Sequence, residues 1–202
     1  MDKPAAVLFD MDGVLVDSVD FWYHALREIF DRYLQRELHK EEFVEKYWGR
    51  ETREIFSEMG IDLGIGPFCE KICSMRGESI RVFPHTKACL ESLSSYRKAV
   101  ITNAPELCAR RILTAVGIEG YFEAIVTSDQ VKRSKPDPAI IFEACRILNV
   151  EPTEAWLVGD HGLDMQAGRA AGCTVVGIGV EGDYTLDSLG ELADIVETKE
   201  AG

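Results

Sequence analysis

The sequence lacks long hydrophobic runs, a secretion signal and an excess of positive charge. None of its apolar stretches reaches membrane-spanning length, and the opening residues MDKPAAVLFDMDG show neither a basic start nor a small-residue cleavage site. The formal net charge of the 202 residues is −13, which disfavours non-specific binding to nucleic acid or to an anionic membrane. We therefore expect a cytoplasmic protein without a nucleic-acid or membrane partner.

Paired-cysteine motifs, internal repeats and low-complexity segments are also absent. Six cysteines are scattered along the chain. Cys69 and Cys73 are four residues apart and could share a helix face, but no histidine or further cysteine nearby completes a metal site. We expect reduced, mostly buried thiols. A composition of 46% hydrophobic and 28% charged residues is typical of a globular chain long enough to bury a sizeable core.

Short apolar runs alternate with helical patterns over most of the chain. The runs are Ala5–Phe9, KAVIT ending at Thr102, Glu123–Thr127, Ala155–Val158 and Thr174–Ile178. The helical patterns are Thr86–Ser95, Leu107–Val116 ending at Gly117, Pro138–Leu148 capped by Asp137, Met165–Ala171 ending at Gly172, and Leu186–Leu192, with a last short strand at Asp194–Val196. This alternation predicts right-handed βαβ units and an α/β, Rossmann-like core with a parallel sheet.

The segment between the first two apolar runs has a different pattern. WYHALREIFDRYL, KEEFVEKYWG and TREIFSEMG carry apolar residues at helical spacing, and FCEKICSMRGESI continues this pattern after a glycine-rich break. No convincing strand interrupts them. We expect residues 17–81, about 65 residues, to form a helical cap inserted into a core made of residues 1–16 and 82–202.

Two carboxylates one residue apart, Asp10 and Asp12, follow the first strand and precede Gly13. In extended chain such residues point the same way, so both would face one spot beyond the strand. A bound cation or a proton traded during catalysis would relieve their repulsion, and glycine would let the backbone turn sharply there. Other predicted strands also end in polar residues: Thr102, Asn103, Ser128, Asp129 and Asp160. Parallel sheets bind ligands at this edge, which predicts a site there.

Four short motifs stand in a defined order, each on a particular predicted element. They are DMDG at 10–13, TN at 102–103, SKPDP at 134–138 and GDHGLD at 159–164. Together they resemble the haloacid dehalogenase superfamily, in the branch whose helical cap is inserted after the first strand. The resemblance covers essentially the whole chain. It implies a phosphoryl-transfer enzyme that requires Mg²⁺.

The resemblance also implies a role for each matching residue. Asp10 would be the nucleophile that forms an aspartyl phosphate, and Asp12 the general acid and base. Asp10, the backbone carbonyl of Asp12 and Asp160 would hold Mg²⁺, with Asp164 supporting them. Thr102 and Asn103 would bind the phosphoryl group.

Lys135 would neutralise both the nucleophile and the phosphoryl oxygens. A carboxylate that attacks an anionic phosphate must overcome repulsion, and the metal and Lys135 would supply the compensating charge. In the cap, Arg50 and Arg53 beside Gly49 could meet the polar or anionic end of a substrate, or they could equally be exposed helix charges.

Some positions depart from the family pattern. His161 follows Asp160 where the family often has Ser, and Ala104-Pro105 replaces the more usual Ser or Lys. His161 lies close enough to the predicted metal site to alter pH dependence or substrate fit.

Our leading prediction is a Mg²⁺-dependent phosphatase for a small phosphorylated metabolite, similar to phosphoglycolate phosphatase. The main alternative is a sugar phosphomutase similar to β-phosphoglucomutase, a group that tends to have His at the position of Trp22 and Lys at that of Trp48. A haloacid dehalogenase proper generally lacks the acid at Asp12. A phosphonatase would need a buried cap lysine, and nothing marks Lys40, Lys46 or Lys71 as buried.

An alternative from another class is a receiver-like signalling domain, which accepts phosphate on an aspartate of a parallel sheet. Its acidic pair is adjacent in sequence and it has no helical insertion, so the spacing of Asp10 and Asp12 disfavours it. A silent binding protein on the same fold is disfavoured by the complete set of motif residues. The sequence gives no indication of an oligomeric state.

Overall fold

The five predicted apolar runs all become strands in the computed structural model, which describes residues 3–62, 64, 67–69 and 80–197. The strands are β1 (Ala6–Phe9), β2 (Val16–Asp17), β3 (Arg81–Val82), β4 (Arg97–Thr102), β5 (Ala124–Thr127), β6 (Ala155–Gly159), β7 (Thr174–Ile178) and β8 (Tyr184–Leu186). Six of them form a sheet in the order β5-β4-β1-β6-β7-β8, with every neighbouring pair parallel. The predicted α/β class is therefore confirmed.

Helices of the core cover both faces of this sheet, and other helices form the segment between β2 and β3. They are α1 (Val19–Ile29), α2 (Lys40–Lys46), α3 (Thr52–Glu58), α4 (Thr86–Ser92), α5 (Glu106–Ala115), α6 (Ala139–Leu148), α7 (Gly162–Ala171) and α8 (Leu192–Glu197). A π-helical turn, Phe30–Leu34, continues α1. Apolar residues of α4, α5 and α8 pack on one face, and those of α6 and α7 pack on the other.

Strand β1 lies at the centre of the core. Its side chains alternate between the faces, with Val7 and Phe9 in one apolar cluster and Ala6 and Leu8 in the other. All four are fully buried. The continuous apolar run therefore reflects a strand covered on both faces, as parallel sheets require.

Local end signals position the helices as the sequence predicts. Gly117 follows the end of α5 with a φ of +71°, and Gly172 caps α7 with a φ of +86°. Both values lie in the left-handed region that glycine adopts without strain. At the start of α6, the Asp137 carboxylate accepts a hydrogen bond of 3.0 Å from the backbone N–H of Ala139.

The end of the core differs from the prediction. The sequence predicts a helix at Leu186–Leu192 and a strand at Asp194–Val196, but the structure has strand β8 first and helix α8 last. Asp183 holds the turn before β8, because its carboxylate accepts the Val175 N–H at 2.8 Å and its own N–H donates to the Val175 carbonyl. The buried residues of α8, Leu192 and Val196, are four apart, which is helical spacing.

The inserted segment leaves and re-enters the core through a two-stranded antiparallel ribbon. Val16 of β2 pairs with Val82 of β3, and Asp17 pairs with Arg81. The predicted helical segment thus begins and ends in this short ribbon, which the sequence pattern did not indicate. Between its strands lie α1, α2 and α3, as the apolar spacing predicts. Residues 67–69 are helical, and the rest of FCEKICSMRGESI up to residue 79 lies outside the described residues.

The insertion contacts the core at several points. The Glu51 carboxylate accepts a hydrogen bond of 2.8 Å from the Ser134 hydroxyl. The Sγ atoms of Cys69 and Cys108 lie 2.8 Å apart, with both side chains buried. These contacts hold the insertion against the carboxyl edge of the sheet.

The cysteines that the structure describes are buried thiols, as predicted: Cys69, Cys89, Cys108, Cys145 and Cys173. Cys73 lies outside the described residues. Across the described ranges, no helix combines the length and the apolar character needed to cross a membrane.

Candidate active site

The candidate site lies where the sheet reverses its strand order. Central strand β1 has β4 on one side and β6 on the other, so the chain moves outward in opposite directions from this point. A crevice forms at such a switch point beyond the carboxyl ends of the strands. Asp10 follows β1, Thr102 ends β4 and Asp160 follows β6, and all three line the crevice.

Lys135 is enclosed between two carboxylates. Its ammonium Nζ lies 2.7 Å from Asp10 Oδ1 and 2.7 Å from Asp164 Oδ1, and the residue is only 4% exposed. Burial alone would lower the pKa of Lys135, but the two carboxylates outweigh it and raise that pKa well above its ordinary value. Lys135 is therefore a fixed positive charge.

Carboxylates outnumber this lysine. Burial raises the pKa of Asp10 well above its ordinary value, and repulsion from Asp164 raises it further. Burial likewise raises the pKa of Asp160 to about 7, with Asp164 again adding repulsion. Three carboxylates, those of Asp10, Asp160 and Asp164, thus share the crevice with the single ammonium of Lys135.

The same carboxylates have the geometry of a cation site. Ligand oxygens of Asp10, Asp160 and Asp164 all lie within 4.8 Å of one another. Asp160 Oδ1 is buried and has no hydrogen-bond partner among the residues that the structure describes, which is unusual for a buried oxygen. Oxygen donors in this number suit Mg²⁺ or Ca²⁺. The residues present therefore fit the predicted divalent cation.

Gly13 is required by this arrangement. Its φ is +86°, and a Cβ built on it would lie 1.9 Å from Asp160 Oδ2. Any other residue would displace the Asp160 carboxylate from the crevice. The glycine expected from the sequence at the turn thus also provides room for a candidate metal ligand.

Asp12 is held by donors from the inserted segment. The Trp22 indole Nε1 donates to Asp12 Oδ1 at 2.8 Å, and the Ser18 hydroxyl donates to the same oxygen. Burial raises the pKa of Asp12, while bonds from Ser18, Trp22 and Thr102 oppose that rise. Trp22 is a functional residue that the sequence did not reveal, because its role depends on a contact between the insertion and the core.

Asn103 joins the insertion to the lysine loop. Its Nδ2 donates to the carbonyl of Gly49 at 2.9 Å and to that of Lys135 at 3.0 Å, while its Oδ1 accepts the Lys135 N–H. Thr102 Oγ1 accepts the N–H of Ala104 and borders the crevice beside Asp12. Thr102 thus lies where a phosphoryl group would bind, whereas the Asn103 amide is already engaged.

Of the other predicted residues, Arg50 and His161 line the crevice and Arg53 does not. Arg50 lines it, but its guanidinium is 2.5 Å from the Glu58 carboxylate. Arg53 is not among the lining residues and lies 3.8 Å from Glu51. His161 lines the crevice, where its ring is in contact range of Gly49.

Two polar strand ends have structural roles instead. Asp129 accepts the N–H of Glu106 at the start of α5 and the hydroxyl of Thr127. Ser128 donates to the carbonyl of Ala104. Neither is among the crevice-lining residues, so the polar strand ends predicted at this edge include two residues that do not border the crevice.

The parallel sheet, the acidic centre and the buried lysine define an α/β protein equipped for chemistry on an anionic substrate. Residues 7–178 match the family model described as haloacid dehalogenase-like hydrolase. The chain belongs to this family, as the four motifs predicted.

Individual relatives agree with this assignment. The chain is 31% identical over 176 residues to a phosphoglycolate phosphatase of Aquifex aeolicus, covering 82% of this chain and 80% of that protein. It is 28% identical to the pyrophosphatase PpaX of Bacillus velezensis, covering 98% of each. Among solved structures, a HAD phosphatase from Thermococcus onnurineus has a TM-score of 0.70 and 28% identity, covering 95% of this chain and 97% of that one.

Proposed function

We propose that this protein is a Mg²⁺-dependent phosphatase that hydrolyses a small phosphorylated metabolite through an aspartyl phosphate on Asp10. The observation that supports it best is the grouping of Asp10, Lys135 and Asp160 at the switch point of the sheet. Relatives named phosphoglycolate phosphatase and pyrophosphatase support the same reaction class.

Asp10 has the environment that a nucleophile needs. Both Lys135 Nζ and the Met11 N–H bond to its Oδ1, each with an N–O distance near that of a strong hydrogen bond. These bonds fix the carboxylate, and Oδ2 remains as the oxygen for attack on phosphorus. The fixed charge of Lys135 also offsets the repulsion between Asp10 and an approaching phosphoryl group.

Asp10, Asp160 and the backbone carbonyl of Asp12 would hold the metal. When bound, Mg²⁺ would supply the positive charge that neutralises both the carboxylates and the phosphoryl oxygens. Asp164 would orient this centre rather than contact the substrate, because its Oδ1 bonds to Lys135 and its Oδ2 accepts the His161 N–H.

Asp12 would act as the general acid and then as the general base. Ser18 and Trp22 both donate to its Oδ1 and so fix the carboxyl group, and Oδ2 would give a proton to the leaving oxygen. Burial raises the pKa of Asp12 and so favours the protonated form that the first step needs. In the second step the deprotonated carboxylate would take a proton from the attacking water.

Residues 17–81 would form the cap in this proposal, closing over a core of residues 1–16 and 82–202. The hydrogen bonds of Asn103 to Gly49 and of Ser134 to Glu51 support a closed arrangement. A closed cap would exclude bulk water while Asp10 attacks. We also propose a cytoplasmic location, because buried cysteines that form no disulfide are typical of proteins in reducing compartments.

Hydrolysis rather than phosphoryl transfer between sugars is favoured by the crevice itself. A phosphosugar mutase must hold a polar sugar through polar cap groups. Here two cap positions that distinguish the mutases are Trp22 and Trp48, and both line the crevice.

The test is phosphate release from p-nitrophenyl phosphate with Mg²⁺, with EDTA, and by the variants Asp10→Asn and Asp129→Asn. Asp129 also follows a strand of the sheet but lies outside the crevice, so it is a matched control. We expect release that requires Mg²⁺, is abolished in Asp10→Asn and persists in Asp129→Asn. Acid quenching should trap a phosphoryl group on the Asp10 peptide. Turnover by Asp10→Asn close to that of the parent would refute the nucleophile assignment.

A further inference from the structure

The two sides of the crevice differ in chemistry. The core side carries carboxylates, the Lys135 ammonium and the polar groups of Thr102 and Asn103. The described residues on the cap side are mostly aromatic or aliphatic: Trp22, Leu26, Phe43, Tyr47, Trp48, Ile55 and Phe68. The core side is thus suited to a phosphoryl group, and the cap side determines which alcohol can be attached to it.

The aromatic side lies next to the leaving group. Trp22 donates its indole N–H to Asp12 Oδ1, and Asp12 would protonate the leaving oxygen. The alcohol that departs must therefore lie close to the Trp22 ring. Trp48 is only partly buried and packs edge-on against Phe43 at 5.9 Å between ring centres, so its ring is held in place at the crevice.

Positive charge on this side is already neutralised, within the ranges that the structure describes. Arg50 is the cap cation among the lining residues, and it pairs with Glu58 at 2.5 Å and reaches the Lys46 carbonyl at 3.5 Å. A carboxylate or a second phosphate on the leaving group would lose water without gaining a free cation from the described residues there, which is costly. A flat apolar group would gain from burial against the rings.

We propose that the substrate is a phosphate monoester of an uncharged alcohol with a flat apolar body, such as an arylmethyl alcohol. This inference rests on the proposed function and specifies its substrate class. It separates this protein from the activities in its relatives' names, because glycolate carries a carboxylate and pyrophosphate a second phosphate.

Three esters test the substrate class. Benzyl phosphate, 2-phosphoglycolate and ethyl phosphate all place a primary carbon on the leaving oxygen, and they differ in a phenyl, carboxylate or methyl group. We expect kcat/KM for benzyl phosphate to exceed the other two values at least tenfold. A higher kcat/KM for 2-phosphoglycolate, or for pyrophosphate measured alongside, would overturn the substrate class and leave the phosphatase proposal intact. Release from none of these compounds would overturn the substrate class, and absence of release from p-nitrophenyl phosphate as well would overturn the phosphatase proposal.

Variants locate the preference in the aromatic side. Trp48→Ala should lower kcat/KM for benzyl phosphate at least tenfold and leave that for ethyl phosphate within about threefold, since only the larger ester reaches the ring. Tyr33→Ala is the matched control, because Tyr33 is an exposed aromatic of the insertion that does not line the crevice. Trp48→Phe should keep most of the preference and guards against a folding defect in Trp48→Ala. Equal losses for both esters in Trp48→Ala would contradict the inference.

Discussion

Lys135 carries the charge on which the stability of the site depends most. It is almost fully buried between Asp10 and Asp164, at 2.7 Å from each. Removing one partner from a buried ionic group leaves the remaining charges uncompensated.

We expect Lys135→Gln to lower the free energy of unfolding by about 3 kcal/mol in EDTA, since that is the usual cost of breaking a buried pair. Urea unfolding of the parent and the variant measures it. Adding Asp164→Asn to Lys135→Gln should recover part of the loss, because a neutral amide then replaces one of the two unpaired carboxylates. Loss of the same size in the double variant would show that charge is not the cause. Lys132→Gln, at an exposed lysine outside the crevice, is the control.

Motif residues were predictable from the sequence, whereas their supporting contacts were not. Asp10, Asp160 and Lys135 stand in short patterns whose chemistry is local. Trp22 and Asn103 act through contacts between elements, on Asp12 and on Gly49. Asp129 shows the opposite error, because its polar strand-end position is used to hold the start of α5. Residue type and position alone do not separate these cases.

At the scale of elements, the contact between the insertion and α5 is the easiest to check. Cys69 lies in the insertion and Cys108 in α5, with their Sγ atoms 2.8 Å apart. The hydrogen bond from Cys108 lowers the pKa of Cys69, which favours its thiolate.

A small-molecule disulfide, such as oxidised glutathione, should therefore join these two cysteines. The Cys69 thiolate would displace one thiol from the reagent, and Cys108 would then displace the second and close the bond. Peptide mapping should find a Cys69–Cys108 cross-link and not a Cys145–Cys173 one, since burial raises the pKa of those thiols to about 11 and about 12. Recovery of Cys69 and Cys108 only as free thiols or as adducts of the reagent would contradict this packing of the insertion.

Element types followed the sequence wherever a periodic pattern was long. The buried runs became β1 and β4 to β7, and the helices between them begin and end within three residues of the predicted bounds. Residues 184–197 did not follow, because β8 is three residues long and is defined by its pairing with β7 rather than by its own pattern. The ribbon of β2 and β3 is shorter still and depends wholly on tertiary pairing.

For the whole molecule, binding of Mg²⁺ should contribute to folding stability. The carboxylates of Asp10, Asp160 and Asp164 repel one another in the folded state and would separate on unfolding. A cation that binds only the folded chain stabilises it by about 2.7 kcal/mol at 100 times its dissociation constant.

We expect Mg²⁺ at that ratio to raise the melting temperature by roughly 5 to 10 °C relative to EDTA. Differential scanning calorimetry of the parent and of Asp160→Asn measures the shift, with Asp129→Asn as a control outside the crevice. The shift should vanish in Asp160→Asn and persist in Asp129→Asn. An equal rise in all three proteins would indicate a general salt effect rather than binding at this centre.

The β2–β3 ribbon has a consequence for how this protein can change over evolutionary time. Because Val16 and Val82 are paired neighbours, the segment between them is a loop whose two ends are held together at the core. The entropy of closing such a loop grows only with the logarithm of its length. Segments of very different size could thus be exchanged at this one junction with little penalty to the sheet. The inserted segment, which determines substrate selectivity, would then be free to diverge, while the core that carries the catalytic residues is retained.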